Sequence, residues 1–110
     1  MVVKETHLPA LGPVKRGKVR DAYALADGKL LLIATDRISA FDVVMDDPIP
    51  DKGKILTQIA AYWFDRCQDL VPNHLISTDV REFPPACQEF AELLAGRSML
   101  VHQARPLPIE

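Results

Sequence analysis

Cysteine, glycine and aromatic residues are all scarce in this chain, and neither sign of charge dominates it. The two cysteines, Cys67 and Cys87, form no C-x-x-C unit and have no histidine at ligand spacing. That argues against a zinc site or a disulfide framework, and free thiols in a reducing compartment are expected. A net charge of -2 gives no broad electrostatic footprint for nucleic acid. No apolar run approaches the roughly 20 residues needed to cross a bilayer. The opening "MVVKETHLPALG" lacks the apolar run and cleavage site of a signal peptide. A cytoplasmic protein with no nucleic-acid and no membrane partner is expected. Apolar content of 48% in 110 residues suits a packed core, in one domain or a piece of a larger protein.

Periodicity divides the chain. From Lys18 to Leu25 apolar residues alternate with charged or small ones, and "LLLIAT" follows an Asp27-Gly28 turn, so a β-hairpin is expected. "DVVM", "HLIST" and "SMLVHQA" read as further strands. Residues 54 to 70 change period. Ile55, Ile59, Trp63 and Cys67 lie four apart and Leu56, Ala60 and Phe64 widen the stripe, which predicts an amphipathic helix with Trp63 and Phe64 in the core. Pro84 and Pro85 open a second expected helix, "ACQEFAELLA", with Phe90 in the core and Gly96 as its cap. Strands and helices mix without βαβ alternation, so the fold class is α+β with a mostly antiparallel sheet and two helices. A final strand with nothing following it to pair implies an uncovered edge at "SMLV".

The stretch "GPVKRGKVRD" fits G-x-x-x-x-G-K, with Val19 where a P-loop needs Ser or Thr. A P-loop runs from strand into helix, but the residues after Lys18 alternate as a strand, so that reading fails on context. A glycine turn opening a hairpin is the other way to cover phosphates, as in the glycine-rich loop of kinases. Gly17 permits close backbone approach, and Lys18 and Arg20 share a strand face. Lys15 and Arg16 add positive charge. A solvated basic surface explains the same residues, and both readings stand at this point. In "ATDRISAFDVV", Asp36, Arg37, Ser39 and Asp42 crowd the end of a buried strand. They are either a site held rigidly by the scaffold or an Asx and Ser turn satisfied locally.

"KRGKVRDAY", "LLIATDRISAFDVVMDDPIPDKGKILTQIAAYWF" and "ARPLPIE", in order, resemble the N-terminal part of the SAICAR synthetase family. The resemblance implies a kinase-like N-terminal ATP-binding lobe over residues 1–110, cut before a second domain. It implies an ATP-dependent ligase that uses magnesium to join carboxyaminoimidazole ribotide (CAIR) and L-aspartate, giving SAICAR. By the same resemblance Gly17, Lys18 and Arg20 lie over the ATP phosphates, and Arg105 and Leu107 form the hinge at the adenine edge. Asp36, Arg37, Ser39, Asp42, Lys54 and Glu110 fall on substrate-side positions. No residue is assigned as a metal ligand, and a homo-oligomer is left open. A non-catalytic nucleotide- or phosphate-binding module is the alternative. An RNA-binding module is weaker, because the aromatics are not interleaved with the basic residues.

Overall fold

The computed structural model describes residues 1–109. Short basic and alternating segments give β1 (Val14–Arg16) and β2 (Arg20–Ala24), joined by a tight turn at 17–19. The Asp27-Gly28 turn, with both residues at positive φ, leads into β3 (Lys29–Ala34). A two-residue hairpin follows, β4 (Ser39–Ala40) and β5 (Val43–Val44). Then come α1 (Lys52–Cys67), β6 (Leu75–Ser77), α2 (Ala91–Leu94) and β7 (Ser98–His102). The main sheet has the order β1-β2-β3-β7-β6, with every neighbouring pair antiparallel. The α+β class expected from the sequence is observed.

The sheet separates two layers. Tyr23, Leu31, Ile33 and Leu100 project into a core with Leu8, Phe83 and Leu94, which come from the N-terminal segment and residues 83–94. On the other face Leu32, Ala34 and Met99 look toward α1. The N-terminal segment is fastened by side chains as well as by backbone: Val3 N–H donates to Asp36, Thr6 N–H to Asp21 and Leu8 N–H to the Tyr23 hydroxyl.

Three expectations are corrected. The strand "SMLV" is no open edge; residues 98–101 are buried between β3 and β6, because "HLIST" pairs with its far side. The second helix is a 3-10 turn over Pro85–Phe90 and a single α-turn after it, since Phe90 breaks the run at φ -107, ψ 16. Most consequentially, α1 turns only one edge of the expected stripe, Ala60 and Phe64, toward the sheet. Ile55, Ile59 and Trp63 are 56%, 50% and 57% exposed, whereas Gly53 and Thr57 are buried and Ala60 and Phe64 half-buried. The reason is contact distance. A Cβ at Gly53 would lie 2.0 Å from the Ala34 carbonyl oxygen, so only a glycine lets the helix cross the end of β3.

Candidate functional site

Between α1 and the β2–β3–β7 face lies a cleft of about 360 Å³. Leu32, Ala34, Leu56, Ala60, Phe64 and Met99 give it an apolar floor. Arg20, Lys52 and Arg97 also line it, and among the described residues no carboxylate does. An apolar slot with cationic groups at its rim is suited to a flat ring carrying negative charge. His74 stands at the other end, edge-to-face with Phe64 at 5.7 Å.

The glycine turn borders the cleft through Val19 and Arg20. Gly17 N–H donates to the Arg20 carbonyl at 2.8 Å, closing the turn between two strands, and no helix follows it. Lys18 and Arg20 part company in three dimensions. Arg20 faces the cleft, while the Lys18 ammonium reaches the Asp42 carboxylate at the tip of the β4–β5 hairpin. That tip is itself unusual. Phe41 and Asp42 both have positive φ, 51° and 64°, where Asn-Gly is the comfortable choice. Arg16 of the same basic run is taken up structurally, with Glu5 and Asp21 each at 3.3 Å.

The "DRISAFD" residues divide sharply. Asp36 is fully buried: Oδ1 accepts from Gly53 N–H at 2.9 Å and Arg97 Nη1 at 3.0 Å, Oδ2 from Val3 N–H at 2.8 Å and Arg97 Nη2 at 3.2 Å. Burial pushes its carboxyl up, but the bonds from Arg97, Val3 and Gly53 and the Arg97 charge outweigh that, leaving it below the ordinary 3.8. Arg37 is buried too, behind the glycine turn. Neither side chain is presented to a ligand. Ser39 is half-buried in β4, and Asp42 is exposed. The cleft rim takes Lys52 from α1, whereas the Lys54 stem lies along Gly96. Arg105 and Leu107 are exposed in the irregular segment after β7, where the Leu107 carbonyl accepts from Ile109 N–H at 2.8 Å. Glu110 lies outside the described residues.

Sequence reasoning missed Arg97 and Thr35. Arg97 lines the cleft while its Nη atoms grip Asp36, and its buried Nε has no partner among the described residues. The available signal was pairing: a buried strand-end Asp needs a cation, and "GRSML" supplies one beside a glycine. For magnesium, the described residues contain no group of three or more His, Cys, Asp or Glu side chains able to hold an ion.

The family profile for SAICAR synthetase matches residues 13–110. The phosphoribosylaminoimidazole-succinocarboxamide synthase of Trichlorobacter lovleyi is 61% identical over 108 residues, 98% of this chain and 36% of that protein. The protein of the same name from Desulfosudis oleivorans is 62% identical over 109 residues, 99% of this chain and 37% of its own length. Among solved structures, a SAICAR synthase superposes with a TM-score of 0.85 at 38% identity, covering 96% of this chain and 38% of that one. SAICAR synthase of Saccharomyces cerevisiae, complexed with SAICAR, gives 0.83 at 40% identity over 94% of this chain and 37% of that chain. The chain thus spans little more than a third of the length of the relatives it matches, and it belongs to the SAICAR synthetase family.

Proposed function

We propose that this chain is the ATP-binding lobe of phosphoribosylaminoimidazole-succinocarboxamide synthase, a cytoplasmic carbon–nitrogen ligase of purine biosynthesis. The reaction joins the CAIR carboxylate to the amino group of L-aspartate, giving SAICAR, ADP and phosphate. The observation that carries this reading is the cleft beside the glycine turn, apolar in its floor, with Arg20 and Lys52 beside it and no carboxylate among the described residues that line it. ATP, when bound, supplies the phosphoryl group that activates the CAIR carboxylate toward the amine. The residues of this chain bind and orient. The turn at 17–19 covers the phosphates, and Arg20 and Lys52 offset negative charge as it shifts between oxygens. Arg105 and Leu107 offer backbone groups to the adenine edge. Pro106 has no N–H, so any donor there is Arg105 or Leu107.

Of the substrate-side assignments, Ser39 and Asp42 retain accessible side chains and Lys54 is half-buried. Magnesium enters this proposal with ATP. Among the described residues no three His, Cys, Asp or Glu side chains are grouped to hold it, so its ligands would come largely from phosphate and water oxygens. The test is direct. A full-length enzyme containing this lobe, incubated with ATP, magnesium, CAIR and aspartate, is expected to form SAICAR and ADP in equal amounts, and the 110-residue chain alone is expected to form none. In that full-length protein, ATP binding without SAICAR formation would instead leave a non-catalytic nucleotide-binding module.

A further inference from the structure

Arg37 stands in the middle of the signature stretch, yet it points away from the cleft and into the back of the glycine turn. Its side chain is 7% exposed. Nε donates to the Lys18 carbonyl at 3.0 Å, and Nη2 donates to the Gly17 carbonyl at 3.1 Å. Nη2 also pairs with Asp21 at 2.9 Å, and Nη1 donates to the Lys4 carbonyl at 2.8 Å. The next carbonyl, that of Val19, accepts from Thr35 Oγ1 at 2.7 Å and Thr35 N–H at 3.1 Å. Three consecutive carbonyl oxygens of the turn are therefore held from the interior side.

The consequence follows from peptide planarity. None of these peptides is cis, and in a trans peptide the N–H points opposite to the preceding C=O. Drawing the Gly17 and Lys18 carbonyls onto Arg37 turns the N–H groups of Lys18 and Val19 away from the interior. Outward N–H groups in succession form an anion-accepting concavity. A glycine turn left free would have to be ordered each time it closed on a ligand, at an entropic cost to binding. A guanidinium suits the task because its rigid fork bonds several acceptors at once, which an ammonium cannot reproduce.

We infer that Arg37 is a positioning residue for the triphosphate: it fixes the glycine turn with its N–H groups outward and does not itself touch the nucleotide. This rests on the nucleotide reading above and adds to it the part that sets phosphate affinity. The experiment compares ATP with adenosine, which shares base and ribose but lacks phosphates. Affinities for both are measured by calorimetry on the intact protein, wild type, Arg37→Met and Arg37→Lys.

The wild type is expected to prefer ATP. That preference should fall about 10- to 100-fold in Arg37→Met, the effect of losing charge-assisted contacts that hold the turn. Arg37→Lys should fall between the two, and adenosine affinity should stay near the wild-type value in both variants. If Arg37 serves only the fold, the two ligands weaken in parallel and the preference is unchanged, which overturns the inference. Should Arg37→Met fail to fold, Arg37→Lys carries the same comparison, and an unchanged preference there overturns it equally. A wild type that binds neither ligand sinks the nucleotide reading itself, and that failure is distinguishable because it precedes any substitution.

Discussion

Asp36 joins three segments that are distant in sequence: the N-terminal strap at Val3, the start of α1 at Gly53, and Arg97 before β7. A carboxylate held by two backbone N–H groups and a bidentate guanidinium prefers its ionised form, as its depressed pKa states. Asp21 behaves alike: burial raises its pKa, but bonds from Thr6 and Arg37 and the Arg37 charge bring it below the ordinary 3.8. The sign follows. Because the folded pKa lies below the unfolded value, the stabilisation is complete above about 3.8 and is lost as pH falls through the depressed folded values. Urea midpoints measured from neutral pH downward should therefore drop steeply only below that value. Asp36→Asn should be less stable by about 3–5 kcal/mol at neutral pH, since it strands the buried Arg97 charge. Its acid loss should also be shallower. An equally steep acid loss in Asp36→Asn would show that other groups govern the transition.

At the scale of elements, the sequence revealed period more reliably than phase. The alternation in 18–25 and the apolar run in 30–35 predicted β2 and β3, and they are there. The four-residue spacing predicted α1 within a few residues of its ends. What it could not show was which part of that wide stripe is buried: Ala60 and Phe64, which widen it, turn inward, while Ile55, Ile59 and Trp63 turn out. The deciding residue was Gly53, whose meaning depends on the Ala34 carbonyl it meets, a contact no local pattern encodes. The site had the same limitation. Gly17 and Arg20 were visible as a turn and a charge, but the inward roles of Arg37 and Asp36 depend on partners up to 61 residues away. The corrected phase makes a prediction. Phe64→Ala, which empties part of the cleft floor and the His74 contact, should cost about 2 kcal/mol in denaturant melts. Trp63→Ala, on the exposed side, should cost less than about 1 kcal/mol. The reverse ranking would put Trp63 rather than Phe64 on the buried side of the helix.

At the scale of the whole molecule, apolar surface also lies outside the cleft. Ile55, Ile59 and Trp63 on α1, and Val43, Val44 and Met45 after the hairpin tip, are all exposed. Exposed apolar residues taken singly are ordinary, but several successive turns of one helix make a stripe that water covers poorly. The strand β7 adds nothing to it, being buried on both sides within the sheet, so self-association by edge pairing at "SMLV" is not expected. The exposed helix stripe is instead the surface from which self-association is expected. Prepared by itself, the 110-residue chain should show an apparent mass above 12.2 kDa that rises with concentration in light scattering. Placing charge on the stripe with Ile59→Lys and Trp63→Lys should bring it back toward the monomer. The fold should remain intact, because neither side chain is in the core. A wild-type chain that stays monomeric at every concentration would show that the stripe is tolerated by water. If the double variant still associates, attention would shift to the hairpin residues Val43, Val44 and Met45.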